Sequence, residues 1–327
     1  MQAKDKNVGL QVLRGLAAWL VVFHHYNQLL GFRESSLLEY FLRSRGQFGV
    51  DIFFVLSGFL MYMVASKSKS NTDFLLKRIS RVFPAYIFFT LLLASCLYIL
   101  PHNDNSFTSF NLKSLFLSCL MIPNQNPSGI GYFPLLTVGW TLTIELCFYL
   151  IVYFSLVLNR KYFFFLVILF SYMAPDFINI LGIQSMYTFI YGFIFAYIYQ
   201  RSDKLRSFLS RKEVRVIIVI VFIILFSGAF GWFLNIKSIC ALLVLMFFLE
   251  VKDNIATKFS ILGDISYSTY LFHTIPMFII MPYSVNLIGH NDLINVSFVT
   301  LLSIVIYLVS ILSYKYIEKP FLWKKTK

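Results

Sequence analysis

The sequence predicts an all-α fold, a polytopic transmembrane helical bundle of about ten spans with both termini cytoplasmic. Three observations predict it. Of the 327 residues, 58% are hydrophobic and 13% charged, with 37 Phe and 20 Tyr, and the mean hydropathy is +0.74; a soluble domain has no use for so much apolar surface. The apolar residues gather into runs approaching the ~20 residues a helix needs to cross a bilayer. Finally, the basic residues crowd onto alternate connections, the pattern of the positive-inside rule. Length therefore divides into spans, and residues 1–327 read as a single transmembrane domain with no soluble C-terminal domain.

By hydropathy the spans cover residues 10–30, 48–65, 82–100, 135–157, 162–174, 186–199, 214–230, 236–250, 266–283 and 294–316. An even number returns both termini to one side. Among the 28 Lys and Arg, Arg33, Arg43, Arg45, Lys113 and Lys237 lie on the opposite side and Arg14 lies within a span; the others share the side of the termini, which makes it the cytoplasmic one. The net charge of +13 is then accounted for by topology and by anionic lipid headgroups, without invoking nucleic acid. The first span is interrupted by His24 and His25 and has no small-residue cleavage site after it, so it reads as a retained anchor.

Span 1, LQVLRGLAAWLVVFHHYNQLL, is apolar enough to cross a membrane yet carries Arg14, His24 and His25. Ionisable groups at that depth are costly and rarely incidental. Eleven steps of helical rise place Arg14 and His25 about 16 Å apart along the axis. Snorkelling of Arg14 and a plain interhelical hydrogen bond at His25 is the bland alternative. Span 2 opens GVDIFFVLSGF, with Asp51 just inside the apolar run and Ser57–Gly58 deeper. Small residues permit close helix packing, whereas a carboxylate there needs a partner such as Arg14, a histidine or water. In FLLKRISRVFPAY, Arg78 and Arg81 are three apart and share a helical face, suited either to topological anchoring or to a fork for phosphate oxygens.

The long outer connection, 101–134, contains a short apolar segment, 112–122, too short to span and expected at the interface or re-entrant. Span 4 opens VGWTLTIELCFYL. Trp140 suits an interfacial belt, while Glu145, far inside the apolar run, must be protonated or paired. Spans 5 to 8 hold no acid or base with a clear task and read as scaffold, and the charged connection 200–215 reads as solvated. In span 9, ISYSTYLFHTIP, Tyr267, Tyr270 and His273 are three apart and form a polar stripe facing protein or a water-filled cavity. The chain continues to Tyr316-Ile-Glu-Lys-Pro320, read as a charged helix exit, and a basic tail. Cys96, Cys119, Cys147 and Cys240 lack metal-ligand spacing, which predicts neither a metal site nor a disulfide framework.

Taken together, LRGLAAWLVVFHH with its Arg, ten residues, His spacing, GVDIFFVLSGF, KRISRVFPAY, VGWTLTIELCFY, SYSTYLFH and the terminal EKP resemble the acyltransferase 3 family of bacterial integral-membrane acyltransferases over nearly the whole chain. One departure is Leu146 after Glu145, where many relatives carry a second acid. The resemblance implies transfer of an acyl group, usually acetyl, from acetyl-CoA or another acyl-CoA to a sugar hydroxyl. The implied acceptor is a lipid-linked or polymerised surface glycan, and the site is the bacterial cytoplasmic (inner) membrane. It implies no metal, and leaves room for a separate periplasmic partner. The expected catalytic set is Arg14, His25, Glu145 and Asp51, with His25 as base for direct attack or as the carrier in a covalent acyl-histidine route, and Asp51 or Glu145 orienting it. Arg14 is either the oxyanion donor or a holder of the acyl donor or a carboxylate. The expected acyl-CoA site uses Arg78, Arg81, Ser57, Tyr267, Tyr270, His273 and Trp140. A transporter, or a packing subunit of a polysaccharide assembly complex, are the other readings of the same intramembrane polar groups.

Overall fold

The computed structural model describes residues 7–30, 45–99, 109–129, 131–178, 182–231, 233–251, 254–284 and 292–322. The described residues are helical apart from turns, connections and one isolated bridge between Gln125 and Tyr132. In chain order the helices are α1 (Val8–Leu30), α2 (Phe48–Ala65), α3 (Asn71–Ile99), α4 (Leu112–Cys119), α5 (Gly139–Leu158), α6 (Phe163–Phe177), α7 (Met186–Arg201) and α8 (Asp203–Ser210). They continue with α9 (Lys212–Phe226), α10 (Leu234–Leu249), α11 (Asn254–Asp264), α12 (Ser266–Phe272), α13 (Thr274–Ser284), α14 (Asp292–Ser313) and α15 (Lys319–Phe321); a π-helical turn, Tyr314–Glu318, joins the last two.

Every predicted span overlaps helix, and span 9 overlaps two. Among the described residues five helices are both long and apolar enough to cross a membrane: Val8–Asn27, Phe48–Ala65, Asn71–Ile99, Gly139–Leu158 and Asn295–Phe321. Helices such as α9, with 15 residues, rise only about 23 Å, short of a ~30 Å hydrocarbon core.

Three boundaries differ from the sequence reading. Span 3 starts a full three turns early, at Asn71, so Arg78 and Arg81 lie inside a continuous helix. The connection 200–215 is not simply a solvated loop: Ser202 caps α8 through the Leu205 N–H (3.1 Å), and Leu209 is buried. Span 9 is broken at His273 into α12 and α13. Pro276 explains the break, since it has no N–H for the carbonyl one turn back and its ring crowds that carbonyl.

The chain forms two compact units. The first comprises Met1–Ala17, Phe48–Leu76 and Ile144–Asp264. Its core is the crossing of α2 on α7, where glycines permit near backbone contact. A Cβ on Gly58 would sit 2.1 Å from the Phe189 carbonyl oxygen, and one on Gly192 would sit 1.9 Å from that of Val55. Phe189 packs beside this crossing against Phe54 and Phe148, with ring centroids 4.8 and 4.5 Å apart. The start of α1 is fixed here too: Asn7 caps it through the Leu10 N–H (3.0 Å) and donates to the Leu249 carbonyl (3.0 Å).

The second unit comprises Ala18–Gln47, Lys77–Thr143 and Ile265–Lys327. Hydroxyl bonds tie α12 to the chain's last long helix, with Thr269 Oγ1 donating to Ser310 Oγ (3.0 Å) and Ser268 Oγ lying 2.7 Å from Ser313 Oγ. Tyr26 of α1 meets Ser303 of α14 at 3.2 Å. The segment expected at the interface forms α4, opened by a capping box between Asn111 and Ser114 and ended by Met121 in the left-handed region (φ 57°). It is held to the start of α5 by Ser118 Oγ, which accepts from the Leu135 N–H (2.9 Å).

Candidate active site

In the second unit, the helix α1 and the broken pair α12–α13 bring two imidazoles together. His273 is fully buried, and its Nε2 lies 3.1 Å from Nδ1 of His25. That same His25 nitrogen is 3.0 Å from the Val21 carbonyl oxygen, and His273 Nδ1 is 3.2 Å from that of Thr269. Each ring therefore folds back on the carbonyl four residues earlier in its own chain segment. Within this unit the partner of the His25 ring is an imidazole, where the sequence reading looked to a carboxylate. His24 stacks edge-on to His25, with centroids 5.4 Å apart.

The polar stripe of span 9 is anchored to two other elements of this unit. Tyr267 donates from its hydroxyl to the Val82 carbonyl (2.7 Å), one residue beyond Arg81 on α3. Tyr270 shares its hydroxyl with Thr141 Oγ1 (2.8 Å) and donates to the Val138 carbonyl (3.2 Å), at the head of α5 where Trp140 also lies. Arg78 and Arg81 are half-buried on α3. The stripe thus joins the arginine turn, the VGWT turn and the histidine pair into one polar line.

Beside it sits an acid the sequence reading took for a charged helix exit. Glu318 is buried and accepts a hydrogen bond from Ser268 Oγ, which also meets Ser313. In an α-helix five residues turn through about 500°, which would put Ser313 and Glu318 on different faces. The π-turn widens the spiral so that both face α12. Pro320, unable to donate one turn back, follows two residues after Glu318. The signal in the sequence was faint: an acid five residues after a serine, just before a proline.

The first unit holds the other predicted residues. Glu145 accepts from Ser57 Oγ (2.9 Å) and from the Tyr149 hydroxyl one turn further along α5. Ser57, predicted for the acyl-CoA site, is therefore a partner of Glu145, and Tyr149 is a residue the sequence reading did not single out. Asp51 is buried in the first turn of α2, where Lys237 of α10 is a cationic neighbour. Arg14 is half-buried on α1, one turn before the unit's boundary at Ala17. Among the described residues no cluster of three His, Cys, Asp or Glu is placed to hold a metal ion.

A multi-pass helical membrane protein with bonded carboxylates and an imidazole pair inside its units is the class that the fold and these sites define. More particularly, residues 7–315 match the family model described as Acyltransferase domain, the acyltransferase 3 family, and the chain belongs to that family. It is similar to the exopolysaccharide production protein ExoZ of Rhizobium meliloti (33% identity over 119 residues, 36% of each chain). It is also similar to the O-acetyl transferase of Shigella phage Sf6 (31% over 144 residues, 42% of each). A longer similarity joins it to the putative acetyltransferase ORF330 of Acidianus two-tailed virus, 26% identical over 293 residues and 83% of each chain. The matches to the first two relatives span less than half of their length. No solved structure matches.

Proposed function

We propose that this chain is an O-acyltransferase of the bacterial cytoplasmic membrane, with about ten spans and both termini in the cytoplasm. It moves an acyl group, most simply acetyl from acetyl-CoA, to a hydroxyl of a lipid-linked or polymerised surface glycan. Membership of the acyltransferase family, with relatives named for exopolysaccharide production and O-acetyl transfer, supports the reaction class. The observation that carries the chemistry is the His25 ring, held on one nitrogen by Val21 and His273, which leaves the other nitrogen for a substrate proton.

In this reading His25 takes the proton of the sugar hydroxyl as its oxygen attacks the thioester carbonyl. The C–S bond then breaks and the departing thiolate of coenzyme A takes that proton back. Atoms and charge balance without a metal or a covalent enzyme intermediate. Arg14 lies about 16 Å along α1 from His25. It serves as oxyanion donor or holds the acyl donor or a carboxylate. Arg78 and Arg81, with Tyr267 beside them, receive the phosphates of acyl-CoA, where a planar guanidinium matches phosphoryl oxygens.

The test is mass spectrometry of surface glycan from strains carrying the wild-type protein, His25→Ala, or no copy, with membrane levels matched. One acyl increment per repeat, present only with the wild type, is expected. Equal modification with His25→Ala would remove His25 from the chemistry and return the transport or packing readings to the front.

A further inference from the structure

We propose that His273 is the positioning residue that fixes His25 as a base through its Nε2 nitrogen, in an imidazole–imidazole pair that takes the place a carboxylate holds in hydrolase triads. The inference rests on the acyl-transfer reading above. Its geometric part stands independently of it.

His273 Nδ1 lies 3.2 Å from the Thr269 carbonyl oxygen. A carbonyl only accepts, so Nδ1 carries the hydrogen, and in the neutral ring Nε2 then holds the lone pair. That Nε2 is 3.1 Å from His25 Nδ1, which is also 3.0 Å from the Val21 carbonyl oxygen. Two acceptors facing one nitrogen require that nitrogen to be a donor. His25 therefore carries its hydrogen on Nδ1, shared between Val21 and His273, and its lone pair on Nε2. Placing either ring in the other neutral form would set a nitrogen lone pair against a carbonyl oxygen about 3 Å away, a repulsive contact beside the fully buried His273 ring.

The surroundings hold the pair in this sense. Thr269 carries both the backbone N–H of His273 (3.2 Å) and its ring, which locks the imidazole over its own helical turn. Thr269 is itself pinned to Ser310 (3.0 Å), and Tyr270, whose ring centroid is 5.9 Å from that of His273, is tied to Thr141 and Val138. His273 closes α12 in right-handed helical backbone (φ −57°, ψ −32°), so its ring projects from the same turn as Thr269. With no exposed surface and both ring nitrogens engaged, His273 has no nitrogen left for the acyl donor. Its part is to orient, where the sequence reading had it bind.

During transfer, His25 Nε2 gains the hydroxyl proton and the ring becomes imidazolium. Its Nδ1–H already points at the His273 lone pair, so the added charge is shared across two rings, and the Nδ1 proton moves to His273 and back without leaving the pair. When the thiolate departs it takes the proton from His25 Nε2, and both rings return to the starting form.

Two measurements on the full-length protein in detergent test this. The first is nitrogen NMR of protein labelled with 15N-histidine; with five histidines in the chain, His25 and His273 are assigned by single substitution. Both are expected as the neutral Nδ1–H form, and the His25 Nδ1–H signal is expected to move in His273→Phe. Finding His25 protonated on Nε2 overturns the proposal whatever the activity, and so does an unmoved signal. The second is kinetics with acetyl-CoA. His273→Phe, which removes the acceptor, is expected to lower kcat about 10²-fold or more with KM for acetyl-CoA unchanged. His273→Gln, whose amide oxygen reaches the place of Nε2, is expected to recover at least about tenfold of that loss. Equal losses in the two variants, or a change confined to KM, overturn it. If the wild type transfers no acyl group from acetyl-CoA, the functional reading fails while the NMR still decides the pair. If His273→Phe does not fold, the wild-type ring forms decide it.

Discussion

Arg78 and Arg81 form one basic turn. On α3 they are half-buried, one turn from the point where Tyr267 meets Val82. A charge-assisted hydrogen bond to phosphate contributes about 1.5–3 kcal/mol, equivalent to about ten- to a hundredfold in affinity. Arg78→Ala and Arg81→Ala are therefore each expected to raise KM for acetyl-CoA by about that factor while kcat at saturation falls less. Steady-state rates at varied acetyl-CoA check this; unchanged KM would make the arginines topological anchors. The sequence named this pair, His25 and Glu145 because ionisable groups in apolar helices stand out in one dimension. It passed over Tyr149 and Glu318. Tyrosine is unremarked in a chain so rich in it, and an acid at a helix end looks solvated until the turn that buries it is known.

At the scale of elements, the crossing of α2 and α7 depends on two hydrogens where other residues have a Cβ. Gly192→Ala would place a carbon 1.9 Å from the Val55 carbonyl oxygen, and Gly58→Ala one 2.1 Å from that of Phe189. Both neighbours are backbone and cannot swing aside, so each helix must retreat. Overpacking of this kind costs about 1–3 kcal/mol, occasionally more. A lowered melting temperature of the detergent-solubilised protein is expected for either substitution, with a further loss when both are made. An unaltered melt would mean that the two helices are less closely apposed. Helix existence was legible from hydropathy alone. The break at His273 was foreshadowed by Pro276, yet hydropathy runs straight through it, because a proline in a membrane helix can end it, kink it or be accommodated.

For the whole molecule, charge asymmetry and the even number of proposed spans predict that both termini lie on the cytoplasmic side. Tags after Met1 and Lys327 are expected to be reached only in permeabilised cells, whereas a cysteine-reactive probe on a new cysteine at Lys113 is expected to label from outside. Termini found on opposite sides would make the number of crossings odd. The two units interleave along the chain: the first takes residues 1–17, 48–76 and 144–264, and the second the stretches between them and the last 63 residues, 265–327. No composition shift marks these boundaries, since one apolar solvent surrounds every span and no soluble linker is needed between them.

By itself the sequence determined the membrane class, the helices and the family. These follow from quantities summed along the chain: hydropathy over a window, the cost of an ion in lipid, and motifs in fixed order. Tertiary structure alone decided who meets whom. His25 and His273 are 248 residues apart, and Ser57 and Glu145 are 88 apart. Such pairs form only when two helices have settled into one rotation and depth against each other. In a bilayer that choice is made by close packing and by interhelical hydrogen bonds, because lipid tails leave no hydrophobic difference to guide it. Periodicity in one helix carries no record of the face its partner presents.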